Sequence, residues 1–303
     1  MKLGKHNPKL DGMTEVLPLF DSHNHLSLGA FRRNQHDYGT STPLPPGFIQ
    51  NEIKLGSTPA VHLQGPTTKE DATILFFHAG GYCSGQPADQ MAYAAQLCEA
   101  TQFSAFLPDY RIAPESPFPA AYEDSCEAYA ALIADFKFTG SRIVLAGDSS
   151  GGALAIAVTQ YARANDLPLP AAVYSVSPWA DLTQSGSSYT SRAPFDPILH
   201  KDALQGFANA YLAGADAADV RASPVFGDFE GFPPVLIDVG TDEVLLSDSL
   251  KLAECIALAG SEVQLSVWDD MIHIFPWFAR QIPEGRLATE RAGRWLQNRM
   301  RLR

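Results

Sequence analysis

Arg142-Ile143-Val144-Leu145-Ala146-Gly147-Asp148-Ser149-Ser150-Gly151-Gly152 decides how the chain is read. An apolar run that suits a buried strand ends in a tight turn and passes straight into a helical pattern, Ala153 to Arg163. Gly147-x-Ser149-x-Gly151 occupies the turn. A serine at so sharp a corner has strained backbone angles, and small residues two before and two after let strand and helix pass closely. Its hydroxyl then stands at the carboxyl edge of a sheet, beside the positive end of a helix, where a nucleophile is useful. Ser149 is therefore the candidate nucleophile, and the rest of the chain is searched for its partners.

Outward from this turn, apolar strand-like runs alternate with helical stretches. Strands are expected near 60–63, 72–78, 103–108, 171–176, 235–239 and 263–268. Helices are expected near 89–100, 122–136, 250–259 and 287–300. This alternation predicts an α/β fold with a mostly parallel sheet covered on both faces. Residues 180–232 are too long for an ordinary connection and contain a helical piece, Leu204 to Leu212, so they read as an insertion over the carboxyl edge. Residues 1–50 read as irregular, broken by Pro8, Pro18, Pro43, Pro45 and Pro46. The expected organisation is a core of 46–180 and 221–303 with a cap from 1–45 and 181–220.

Composition narrows the class. The 303 residues are 46% hydrophobic and 18% charged, an ordinary globular balance. A formal net charge of −12 argues against nucleic acid and against an anionic membrane surface as partners. The four cysteines show no C-x-x-C spacing and read as reduced thiols of a cytoplasmic protein. Met1 to Leu10 is polar, carries three lysines and is followed by no apolar run, which predicts no secretory signal. No run approaches 18 apolar residues, so no spanning helix is expected.

The serine's partners follow from position. His78-Ala79-Gly80-Gly81 ends the strand 72–78, about 70 residues before the elbow, and glycines there let backbone N–H groups face a cavity. His273, in Trp268-Asp269-Asp270-Met271-Ile272-His273, follows the strand 263–268 and is the single histidine of the last 100 residues, so it is the candidate base. The carboxylate that orients it should follow the strand 235–239, where Asp242 and Glu243 stand side by side and Asp248 starts the next helix. A competing chemistry sits in Asp21-Ser22-His23-Asn24-His25, a D-x-H-x-H string like the first metal site of amidohydrolases. Pro18 interrupts the strand such a site requires, and the other histidines lack a matching context, so no metal is expected.

Taken together these stretches resemble the hormone-sensitive lipase family of α/β-hydrolases, especially its bacterial carboxylesterases, from about residue 70 to the C-terminus. His78-Ala79-Gly80-Gly81 resembles the family's His-Gly-Gly-Gly loop, with Ala79 a departure, and Asp109-Tyr110-Arg111-Ile112-Ala113-Pro114-Glu115 its Tyr-Arg-x-Ala-Pro-Glu segment. Gly147 to Gly152 resembles Gly-Asp-Ser-Ala-Gly-Gly, with Ser150 in place of alanine. Ser177-Pro178-Trp179-x-Asp181-Leu182 resembles the start of the family's cap, and the Asp-x-Met-x-His-x-Phe string around His273 is also similar. The resemblance implies an α/β-hydrolase with a helical cap and oxyanion donors at the N–H groups of Gly80, Gly81 and Ser150. It implies Ser149 and His273 as catalytic residues. By the register of Glu243-Val244-Leu245 and its thirty-residue spacing to His273, it implies Glu243 as the acid, with Asp242 the second choice.

The expected function is hydrolysis of short-chain acyl esters, a small-molecule substrate, through an acyl-enzyme with no cofactor and no metal. A homodimer through an edge near Val263 to Trp268 is expected from the same resemblance. Three alternatives stay beside it: an arylformamidase or lactone hydrolase on the same fold, a metal-dependent amidohydrolase built on Asp21, His23 and His25, and a non-enzymatic binder like the plant gibberellin receptors. Those receptors lack the catalytic histidine, whereas His273 is present.

Overall fold

The computed structural model describes residues 7–21, 27–69 and 71–301. Among them, eight strands form one sheet: β1 (Ile49–Leu55), β2 (Thr58–Gln64), β3 (Thr73–Phe77), β4 (Ser104–Pro108), β5 (Ile143–Asp148), β6 (Ala172–Val176), β7 (Val235–Gly240) and β8 (Val263–Trp268), in the spatial order β1-β2-β4-β3-β5-β6-β7-β8. The hairpin β1–β2 and the β2–β4 pair are antiparallel, and every pair from β4 to β8 is parallel. The expected α/β class and parallel sheet are found.

The helices are α1 (Leu17–Phe20), α2 (Leu28–Thr40), α3 (Pro87–Thr101), α4 (Ala120–Ala134), α5 (Ser150–Ala164), α6 (Ser188–Ser191), α7 (Lys201–Leu212), α8 (Leu246–Leu258) and α9 (Pro283–Arg301). Side chains on a strand alternate between the two faces, and the core divides accordingly. Leu75 and Phe77 of β3 pack with Leu145, Val173 and Ile237 under α4, α5 and α8. Ile74 and Phe76 of the same strand pack with Val144, Tyr174 and Leu236 under α3 and α9. Strands β3 to β7 are buried along their whole length, which is why they read as continuous apolar runs rather than as alternation. The edge strand β8 is only partly covered.

One expectation fails. The segment 1–50 is not irregular: α2 runs unbroken for 13 residues. The prolines that suggested disruption all lie outside it, at 18 and before and from 43 onward. Ser27 caps it by accepting the Ala30 N–H at 3.2 Å. Leu28, Phe31, Gln35 and Tyr38 fall at the three- and four-residue spacing that puts them on one face, which packs toward the core. Within 180–232 stand α6 and α7, tied to the core by buried Asp248, whose Oδ2 accepts the N–H groups of Ala180 and Asp181, each at 3.0 Å. All four thiols are free. Among the described residues no helix is long and apolar enough to cross a membrane.

Candidate active site

β5 delivers Ser149 at φ 54°, ψ −121°, a backbone region unfavourable for any residue with a side chain, at a cost of about 1–3 kcal/mol. The surroundings over-determine it. Ser149 N–H donates to Val176 O at 2.9 Å, and Ser149 O accepts from Trp179 and Ala153 N–H, both at 3.1 Å. The glycines of the motif are sterically required. A Cβ on Gly151 would stand 2.0 Å from Phe77 O, and one on Gly147 would stand 2.4 Å from Gly151 O. Helix α5 begins at Ser150, so the Ser150 N–H is among the donors that a helix start leaves without an intrahelical acceptor.

His273 follows β8, and its Nδ1 stands 3.0 Å from Glu243 Oε2. Glu243 is fully buried. Its other oxygen, Oε1, accepts the Gly240 N–H at 2.6 Å and the Ser177 hydroxyl at 2.8 Å. Ser177 Oγ in turn accepts the N–H of Ile274, the residue after the histidine, at 3.1 Å. This network sets the imidazole as Nδ1–H and leaves Nε2 as the basic nitrogen. The neighbouring carboxylate, Asp242, is turned elsewhere. Its Oδ1 accepts the Thr241 hydroxyl at 3.2 Å on a surface hollow shared with Asp269 and Asp270, and partial burial raises its pKa. Asp248 serves the base of the 180–232 segment as described above.

Ser149, His273, Gly80 and Gly81 line one cleft. Apart from Gln35 its remaining walls are apolar, and they come largely from the two segments read as a cap: Phe20 and Phe31 on one side, Leu199 and Phe207 on another. Gly80 has φ +140°, and a Cβ there would meet Ser84 O at 2.0 Å, so only glycine fits.

Three polar side chains around the cleft were not visible as site residues in the sequence. Gln90 on α3 donates from Nε2 to Asp148 Oδ2 at 2.8 Å and accepts the Ala79 N–H at 3.3 Å, linking the elbow to the glycine loop. Burial pushes the Asp148 carboxyl up to about 8. Asp196, buried between α6 and α7, accepts Ile198 and Leu199 N–H at 2.9 and 2.8 Å and Val244 N–H at 2.8 Å. It joins a wall of the cleft to the residue after Glu243, and burial raises it to about 6. Gln35 reaches the glycine loop from α2. Asp196 is a lone polar residue between Phe195 and Pro197, whereas Gln35 stands in the polar run Arg32 to Asp37 and Gln90 follows Asp89, so neither glutamine stands out in the sequence.

Of the D-x-H-x-H string, Asp21 lies 3.7 Å from His200 Nε2, while His23 and His25 lie outside the described residues. Among the described residues no group of three or more metal-ligating side chains comes together.

Comparison with known proteins gives a consistent result. Residues 74–277 match a family model described as the α/β hydrolase fold. An acetyl-hydrolase of Streptomyces hygroscopicus is 38% identical over 268 residues, 88% of each chain. An esterase of Acinetobacter venetianus is 32% identical over 220 residues, 72% of each chain. The crystal structure of an esterase from the bacterial hormone-sensitive lipase family superposes with a TM-score of 0.92 at 34% identity, over 98% of this chain and all of that one.

Proposed function

This chain belongs to the α/β-hydrolases, in the bacterial hormone-sensitive lipase family, and from that premise we propose that it is a carboxylesterase that hydrolyses short-chain acyl esters through an acyl-enzyme on Ser149. The observation that carries this reading is the buried Glu243–His273 pair at 3.0 Å, opening on the same cleft as a strained serine.

In this reading Ser149 Oγ attacks the ester carbonyl while His273 Nε2 takes its proton. Negative charge collects on the carbonyl oxygen, where the N–H groups of Gly80, Gly81 and Ser150 receive it. Such donors are worth about 3 kcal/mol each, because they are already oriented before the charge appears. Glu243 stabilises the imidazolium and holds its tautomer. The tetrahedral intermediate collapses, and His273 returns the proton to the departing alcohol. Water then enters and attacks the acyl carbon while His273 takes its proton; the second tetrahedral intermediate collapses, the acid leaves, and His273 returns the proton to Ser149 Oγ. Every proton transfer and every charge is handled by the chain's own groups, so the reaction requires no cofactor.

The preference for short acyl groups is supported by aromatic walls on the cleft, and the acetyl-hydrolase relative points the same way. A panel of p-nitrophenyl esters from acetate to decanoate, with a lactone and an arylformamide beside them, tests the reading. It expects turnover to peak at short acyl chains and to vanish in Ser149→Ala. Turnover confined to the formamide or the lactone, still dependent on Ser149, would assign those chemistries instead.

A further inference from the structure

A hydrogen-bond donor stabilises an oxyanion only if it is aimed before the charge develops. A backbone N–H has no rotamer, so its aim is that of its peptide plane. The peptide that bears the Gly80 N–H has Ala79 O at its other end. In a planar trans peptide the two point in opposite directions, so whatever holds the carbonyl also aims the N–H.

Two groups hold Ala79 O. His78 Nδ1 is 2.9 Å away and belongs to the same loop. The other is Gln35 Nε2, which donates at 3.1 Å across 44 residues of sequence. The same amide accepts the Ser84 hydroxyl at 2.7 Å through Oε1. The Ala79 end fixes the orientation of this amide, because a reversed amide would set oxygen against oxygen there, whereas the Ser84 hydroxyl can accept as well as donate. Between Ala79 and Ser84 the loop turns back on itself, with Cys83 and Ser84 N–H both donating to Gly80 O, at 3.1 and 3.0 Å. Gln35 thus spans the mouth of the turn. One helical turn earlier on the same face of α2, Arg32 Nε donates to Cys83 O at 2.8 Å, while its guanidinium is held by Glu115 through two bonds of 2.7 Å. Gln35 is itself buried, so its bonds do not compete with bulk water.

We infer that Gln35 is a positioning residue of the esterase reaction, aiming the Gly80 N–H by holding Ala79 O, and that α2 is part of the catalytic frame as well as a wall of the cleft. This rests on the oxyanion role of Gly80 proposed above. It goes further in making an N-terminal helix contribute to the chemical step.

The test uses the full chain and two variants. Gln35→Glu keeps the shape and still accepts from Ser84 but offers no N–H to Ala79 O. Gln35→Met keeps the length and removes both bonds. Turnover of p-nitrophenyl butyrate is normalised to active sites titrated with an organophosphate, so that only folded enzyme is counted. In both variants kcat should fall about 10–100-fold, less than the loss of a donor outright, with KM within about twofold. The inhibition constant of an aryl trifluoromethyl ketone, which forms an oxyanion on Ser149, should rise by the same factor as kcat/KM falls. Ser84→Ala, which leaves the donor to Ala79 O in place, should stay within about threefold of wild type. Unchanged kcat and inhibitor affinity in the two Gln35 variants would overturn the inference. So would a KM effect alone, the mark of a residue that merely lines the cleft, or lost turnover with full inhibitor affinity. Turnover surviving in Ser149→Ala would instead overturn the underlying esterase reading.

Discussion

Glu243 grips His273 with one carboxylate oxygen and is gripped by Gly240 and Ser177 through the other. The two oxygens do different work. Oε2 orients the imidazole, and Oε1 anchors the carboxylate to the end of β7 and, through Ser177, to the backbone after the histidine. In the proposed reaction, an acid held at both ends would let His273 charge without shifting.

Removing the charge while keeping the shape should therefore separate the two adjacent carboxylates. Glu243→Gln is expected to lower kcat by roughly 10²–10⁴-fold, and Asp242→Asn by less than about tenfold. Steady-state kinetics on a short-chain ester measures both. A crippled Asp242→Asn with an active Glu243→Gln would assign the acid to Asp242.

The elbow should tolerate no added carbon at Gly151. A methyl group there would have to displace Phe77 O, a backbone atom in the sheet. Gly151→Ala is expected to destabilise the fold by about 3 kcal/mol or more. Urea unfolding followed by tryptophan fluorescence measures this, and a midpoint equal to wild type would contradict the close approach.

Asp148 predicts a pH dependence of stability. Burial raises its carboxyl to about 8 in the folded chain, against an ordinary value near 3.8. A raised acid pKa means that the folded state keeps a proton which the unfolded state has lost. Stability from this group is thus full below about 4, falls as pH rises toward about 8, and levels off above it. Asp148→Asn removes the titration and keeps an acceptor for Gln90. Its Tm relative to wild type should rise between pH 4 and 8 and stay flat beyond. A difference that does not change with pH would show that Asp148 does not hold its proton in the folded chain.

Phe31 and Phe207 stand with ring centroids 5.5 Å apart. They line both the cleft of Ser149 and His273 and a neighbouring apolar hollow whose other walls include Leu28, Cys83 and Ala203. Phe207→Ala should join the two spaces and raise kcat/KM for octanoate relative to butyrate esters by roughly tenfold. Using the ratio cancels any general loss of activity. An unchanged ratio would mean that these rings do not limit chain length.

Much of the fold was legible because its strands are buried on both faces, so runs such as Ile143 to Ala146 stand out without any long-range information. The elbow was legible because crowding against Gly151 O and against Phe77 O of the neighbouring strand restricts Gly147 and Gly151 to glycine, and that restriction leaves a short pattern in the sequence. Helix α2 is masked in the sequence by the prolines that flank it, although its own 13 residues contain none. Gln35 is not legible because its side chain bonds nothing nearby in sequence, and Asp196 is not because its bonds to the nearby Ile198 and Leu199 N–H groups look like an ordinary turn. Their distant partners, Ala79 and Val244, are 44 and 48 residues away in sequence. Position after β7 left both Asp242 and Glu243 open, and only the family register and the spacing to His273 favoured Glu243; the physical distinction is which side chain meets the Gly240 N–H and the Ser177 hydroxyl once β6 and β7 are paired.

The proposed esterase reaction depends above all on Ser149 Oγ as the atom that carries the acyl group. Reaction with an organophosphate, followed by mass spectrometry of the intact chain and of its peptides, addresses this directly. The account predicts one adduct per chain, located on Ser149, formed in step with the loss of esterase activity and absent from Ser149→Ala. Activity lost with the adduct on Ser150, or with no adduct on the peptide that carries the elbow, would contradict it.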